Sequence, residues 1–355
     1  MKSHLKAAVA LTAAALLGGC ASSGGGGQAS LDPGLCVILY GPLCPDIYGS
    51  SSAGSSDGSP ASSTQTQGTF TSWADLRRDT NSEVTGFYTS VGYKTRPDGS
   101  IGSVSEATSP NPAATSHHFV RYDRLGNAVN FALGGGGGDP SWSTAQRTLA
   151  NLGGIGHSWA DIGYRNIVPG SPQTPFANLP ARELEIVANP YVAGWNYQSF
   201  GAWNVTDPSW VNFGGTSFGA ATPASAVPTS GTSTFTGKLG GLYVSPTGQG
   251  SIAAADLTVN ANFSTRSLGF ATSGTTTTRD LATATAAPNL NLSGTLTYSP
   301  SANSFTGTLV NAGGTMSGST TGRYYGPAAQ ELGGVFTVKS PTSVETFAGA
   351  YGAKR

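Results

Sequence analysis

Residues 322–336 read GRYYGPAAQELGGVF. Tyr324, Tyr325, Val335 and Phe336 favour extended backbone, because aromatic and β-branched side chains pack well on a pleated surface. Between them Gly326-Pro327 punctuates the chain, and Gly333-Gly334 predicts either a close backbone approach or a positive φ. The stretch is a turn between two strands, and nothing in it is chemically reactive.

Outward from this turn, residues 206–355 are regular and almost free of charge. Candidate strands are 232–238, 242–245, 254–263, 266–271, 290–298, 304–309, 314–324, 333–339 and 345–350, with turn residues about every 8–12 positions, as in an all-β barrel or sandwich. Apolar residues alternate at Leu257, Val259, Ala261 and Phe263, and again at Leu290 and Leu292, so one face points inward and the other to water. A barrel of about eight strands can fill its interior with side chains and has no exposed edge.

Residues 70–205 differ. All six tryptophans (Trp73, Trp142, Trp159, Trp195, Trp203, Trp210) lie between 73 and 210, and no histidine follows His157. Strands are expected at 86–93, 118–122, 130–133, 181–187 and 197–205, turns at 97–99 and 125–127, and a short helix or turn after Ser72. The glycine run 134–138 breaks the pattern. This composition predicts a small antiparallel sheet with long loops and little helix.

The first 19 residues form a secretory signal peptide, with Lys2 and Lys6 ahead of an apolar run too short to remain as a membrane span. Leu17-Gly18-Gly19-Cys20 matches a bacterial lipobox, in which Cys20 becomes the acylated N-terminus. Several acyl chains anchor stably, at about 0.8 kcal/mol per buried CH₂. Ala21 is compatible with sorting to the outer membrane. Residues 20–69 are rich in Gly, Ser, Ala, Thr and Gln and read as a disordered tether. At roughly 5–6 Å × √n such a linker spans about 40 Å. Within it, Cys36 and Cys44 flank Gly41-Pro42 and are either a small disulfide loop or two free thiols; an oxidising compartment favours the disulfide.

Lys+Arg and Asp+Glu each number 18, giving a formal net charge of 0. With charged residues at only 10% of the chain, no basic field for nucleic acid exists.

The 322–336 motif, with its aromatic pair, Gly-Pro, acid and Gly-Gly, resembles the end of the small barrel in transferrin-binding-protein-B-like surface lipoproteins. Two further stretches resemble that family: residues 197–203, a strand ending in Gly-x-Trp at Gly201 and Trp203, and residues 219–231, a Gly-x-x-Thr-Pro…Pro-x-x-Gly segment. The resemblance implies one lobe, with a handle domain at 70–205 and an eight-stranded antiparallel barrel at 206–355. It also implies a non-catalytic binding protein at the outer membrane, a ligand of the host-iron-protein, haem or nutrient-carrier class, and a translocation partner for surface exposure. No ligand-contacting residue carries over.

Catalytic patterns are few. Gly215-Thr216-Ser217-Phe218-Gly219 matches the Gly-x-Ser-x-Gly elbow, but that motif needs a helix after it and a later histidine as base. A glycine-rich loop is the reading preferred here. The run at 134–138 lacks the Lys-Ser/Thr of a phosphate loop. His117 and His118 are adjacent, so on a strand they point to opposite faces, and His157 with Asp161 needs a helix that the nearby glycines oppose. No metal site or cofactor is expected. Trp195 and Trp203 fall in strand-like stretches and are expected in the core, whereas Trp142 and Trp159 fall in glycine-rich, loop-like stretches and are the ligand-binding candidates. The competing functional readings are an envelope scaffold without a soluble ligand and, less favoured, a secreted hydrolase.

Overall fold

Two successive runs of antiparallel hairpins account for the strands. The computed structural model describes residues 72–73, 82–95, 101–102, 114–122, 128–133, 141–143, 147–166, 175–177, 181–206 and 209–355. The signal peptide, the tether with Cys20, Cys36 and Cys44, the turn or helix after Trp73, the turns at 97–99 and 125–127 and the glycine run 134–138 lie outside the described residues.

The first run comprises β1 (Ser82–Lys94), β2 (Ala114–Tyr122), β3 (Ala128–Leu133), β4 (Ser141–Ser143), β5 (Arg147–Asn151), β6 (Ala160–Asn166), β7 (Ala181–Ala188), β8 (Gln198–Thr206) and β9 (Trp210–Gly219). They form one sheet in the order β4-β3-β2-β1-β9-β8-β7-β6-β5. Every neighbouring pair is consecutive in sequence except β1 and β9, which zip together from Gly86–Phe218 to Lys94–Trp210. The two edge strands, β4 and β5, are themselves consecutive, joined by residues 144–146. Four Cα steps of about 3.8 Å hold Ser143 and Arg147 within about 15 Å. The sheet therefore curls until its two edges approach each other.

The second run comprises β10 (Thr232–Val244), β11 (Gly250–Asn262), β12 (Ser267–Thr278), the two-residue β13 (Thr285–Ala286), β14 (Leu292–Thr297), β15 (Ser304–Asn311), β16 (Ser317–Tyr325), β17 (Glu331–Lys339) and β18 (Thr346–Lys354). β11 pairs with both β10 and β12, and β10 pairs with β18, so eight strands close a barrel with β13 appended to β12. The expected alternation is the wall of this barrel. Leu257, Val259 and Ala261 are buried inside with Phe235, Leu268, Phe305, Tyr324, Phe336 and Tyr351, while Asp256 and Asn260 face out.

Three expectations change. The strands expected at 232–238 and 242–245 are one strand, β10, running straight through Gly240-Gly241. The glycines are not a break: a Cβ on Gly241 would lie 2.6 Å from the Ala348 carbonyl oxygen, and one on Gly240 would lie 3.2 Å from the Trp159 indole. The expected boundary at 205/206 cuts the β8–β9 hairpin, whose second strand completes the first sheet; the barrel starts at Thr232. The glycine-rich loop expected at 215–219 is the end of strand β9, whose glycines let it lie flat on β18: a Cβ on Gly215 would come 2.2 Å from the backbone of Gly349.

Sheet and barrel share a core. Outward-facing Leu242, Val244, Val335, Ala348 and Ala350 of the barrel pack with Phe87, Val91, Tyr93, Phe200, Val211 and Phe213 of the sheet. The Tyr93 and Phe213 rings stack at 6.1 Å. Burial of these side chains stabilises the docking by about 25 cal/mol per Å² of apolar area removed from water.

Candidate functional site

The seam between sheet and barrel is where the 322–336 motif meets the rest of the molecule. The β7–β8 connection supplies the sheet's side. Asn189 caps the one-turn helix α1 (Pro190–Ala193) by accepting from the Tyr191 and Val192 amides, Pro190 sits in its first turn, and Gly194 ends it at φ 69°. The chain then presents three successive amides, those of Asn196, Tyr197 and Gln198, at 2.6, 2.9 and 3.0 Å from the Glu331 carboxylate. Glu331 begins β17 and is only 2% exposed. Burial raises its pKa above the ordinary glutamate range, opposed by the three amide donors and by Lys354. Lys354 Nζ donates to the Gly194 carbonyl at 2.8 Å, so the end of the helix is held from β18 as well.

Beside this carboxylate the Gly-Gly pair of the motif makes its close approach. Gly333 faces Gly352 across β17–β18, and neither has a positive φ. The Gln198 side chain occupies the space above them: a Cβ on Gly352 would lie 2.2 Å from its Nε2, and one on Gly333 would lie 3.0 Å from its Oε1 and 2.8 Å from Ser217 Oγ. Gly326 opens the β16–β17 turn at φ 84°, and its carbonyl accepts from Thr222 Oγ1 at 2.7 Å. Tyr325 OH and Ser217 Oγ are hydrogen-bonded at 3.1 Å. Further along, Thr89 and Thr337 hydroxyls meet at 2.8 Å, and the Arg323 guanidinium lies 4.1 Å from the Phe87 ring centre.

These partners are used in joining two bodies. Ser217 is fully buried on a strand, bonded to a tyrosine whose pKa burial pushes up, and that geometry is not a nucleophile elbow. Among the described residues no group of three His, Cys, Asp or Glu side chains converges to hold a metal.

The tryptophan candidates separate. Trp142 lies on β4 in register with Phe131 rather than in a loop. Trp159 ends a loop but is 5% exposed, packed at 5.6 Å from the Phe200 ring, so its indole is not offered to a ligand in this conformation. Trp195 and Trp203 are buried, as their strand-like context suggests. Trp73, which the sequence does not assign to the core, is buried too, its Nε1 donating to the Gln198 carbonyl at 2.8 Å. His157 Nε2 is hydrogen-bonded to Thr276 Oγ1 at 2.8 Å, and Asn189 Nδ2 donates to Asp161 at 3.4 Å, so these two side chains have separate partners.

The barrel wall away from the seam is polar and nearly uncharged. Asn260, Thr295, Thr297, Thr306 and Thr308 face solvent on β11, β14 and β15, whereas the Lys238–Asp256 ion pair across β10–β11 lies near the seam, within electrostatic reach of His157. Such a wall can donate and accept hydrogen bonds but steers no charged partner over distance.

A handle-like sheet packed on a closed eight-stranded barrel is the class that this architecture defines. Residues 227–355 match the family model of the C-lobe and N-lobe beta barrels of Tf-binding protein B, and the barrel is of that type. Solved structures similar to this chain include a single-residue mutant of transferrin binding protein B from Haemophilus parasuis, 11% identical, covering 78% of this chain and 76% of that one at a TM-score of 0.35. Isotype 1 transferrin binding protein B from Neisseria meningitidis is 13% identical, over 78% and 77% of the two chains, at 0.35. The N-lobe domain of lactoferrin binding protein B of Moraxella bovis is 14% identical, over 44% and 75%, at 0.28. No curated protein sequence matches the chain.

Proposed function

We propose that this protein is a lipid-anchored outer-membrane binding protein that holds a protein or nutrient-carrier ligand without chemical turnover. The observation that carries the reading is the match of residues 227–355 to the barrels of Tf-binding protein B. It is supported by a seam in which Glu331, Ser217 and Tyr325 are hydrogen-bonded in docking one body on the other. A docked sheet and barrel hold their strands in a fixed relation, and pre-organisation of that kind lowers the entropic cost of binding. The lipobox at Leu17–Cys20 supplies the anchor, and residues 20–69 the reach to hold the folded part off the bilayer. The Cys36–Cys44 disulfide would tighten the tether locally.

The test has two arms. Cys20→Ala should release the protein from membranes on detergent-free fractionation; retention there would remove the lipid anchor. The soluble form beginning after Ala21, used as bait in the organism's growth milieu, should retain a saturable ligand. Failure to retain any, together with protection of the protein from protease on intact cells, would favour the envelope-scaffold reading instead.

A further inference from the structure

We propose that residues 156–159 form a pH-sensitive clasp that closes the sheet onto the barrel when His157 is neutral and opens when it is protonated. The segment joins a short 3-10 turn (Leu152–Ile155) to β6. Its backbone is tied to the sheet's side, with the His157 amide donating to Leu152, the Ala160 amide to His157 and the Asn189 amide to Trp159.

Two side chains cross to the barrel. His157 Nε2 meets Thr276 Oγ1 of β12 at 2.8 Å. The Trp159 indole lies over Gly240 of β10, where even a methyl group would sit 3.2 Å from the ring. The two rings meet edge to face at 6.1 Å, so movement of the imidazole disturbs the indole. Trp159 Nε1 is buried without an acceptor, and opening would hydrate it.

The charged groups facing the imidazole are Lys238 of β10 and Asp256 of β11, themselves an ion pair. Burial, then Lys238, holds the imidazole below its ordinary range, with Asp256 opposing. A histidine depressed in the closed form protonates more readily in the open one. Closure is therefore complete above the ordinary histidine value, about 6.5, and weakens as the pH falls through and below it. Each unit of depression is worth about tenfold in the opening equilibrium once the pH is below both values. The clasp works whatever ligand the protein binds.

Hydrogen exchange of the full-length protein at pH 7.5 and 5.5, corrected for intrinsic rates, tests this. Amides of residues 156–159 should exchange severalfold faster at pH 5.5 while the barrel strands do not change. His157→Gln, uncharged and able to reach Thr276, should abolish the difference. Lys238→Ala should shrink the acceleration at pH 5.5, because without the like charge the closed form holds the protonated imidazole more easily. Gly240→Ala should open the segment at both pH values. The clasp is overturned if His157→Gln keeps the pH response, if Lys238→Ala leaves the acceleration undiminished, or if the acceleration is uniform along the chain.

Discussion

Gly333 and Gly352 stand directly opposite each other on β17 and β18, and the side chain of Gln198 fills the space that their missing Cβ atoms leave. The contact explains why the motif carries glycine there: the backbone torsions are ordinary, and the requirement is proximity. All three nearest atoms to a Cβ on Gly352 belong to Gln198, so the conflict is with one side chain.

Gly352→Ala is expected to lower stability by about 1–3 kcal/mol through overpacking, and Gln198→Ala in the same chain should restore most of it. Chemical denaturation of the two single variants and the double variant measures the coupling. Additive effects would mean that the strand pair, and not Gln198, sets the need for glycine.

Glu331 accepts three backbone amides in a buried place, and Glu331→Ala should cost about 2–4 kcal/mol by leaving those donors without an acceptor. Unfolding midpoints report this directly. A loss below about 0.5 kcal/mol would show that water replaces the carboxylate.

The same residue has a pH dependence of defined sign. Its pKa is raised by burial, so the folded protein binds a proton more tightly than the unfolded chain. Its share of stability should therefore increase as the pH falls from the raised value into the ordinary glutamate range, and this slope should vanish in Glu331→Gln. A wild-type and Glu331→Gln pair with parallel stability–pH curves would contradict it.

Ser217→Ala should lower stability by about 1 kcal/mol, through loss of the bond to Tyr325. Tyr325→Phe should have a similar effect. Neither should alter any trace hydrolysis of activated esters, and an ester hydrolysis assay run beside thermal unfolding checks both points. Turnover that disappears in Ser217→Ala would restore the hydrolase reading.

The barrel was legible because its inner and outer positions alternate. Leu257, Val259 and Ala261 announce an inner face that the strand then shows. Gly240-Gly241 misled because glycine reads locally as punctuation, whereas here it answers to Trp159 and Ala348, which are distant in sequence. β9 was hidden for the same reason, its glycines serving contact with β18. β6 was concealed by Asp161 and Gly163 within a short apolar run. Trp159 looked like a loop residue, and is one, but a loop can fold its side chain inward when a glycine on the facing strand makes room. The Glu331 joint carries no local signal. An acid before Gly-Gly acquires its role only when three amides from residues 196–198 arrive.

The sheet orders carry a kinetic consequence. Nearly every strand pairs with its neighbour in the chain, and such hairpins form early because little loop entropy is lost. Two pairings are different. Gly86 meets Phe218 across 132 positions (218 − 86), and Thr236 meets Lys354 across 118 (354 − 236). Each is the last zip of an otherwise local meander, and β9 and β18, which make them, are also packed on each other through Gly215 and Gly349. Refolding should accordingly begin with rapid growth of separate ribbons and finish in one slow step, with both long-range seams forming together.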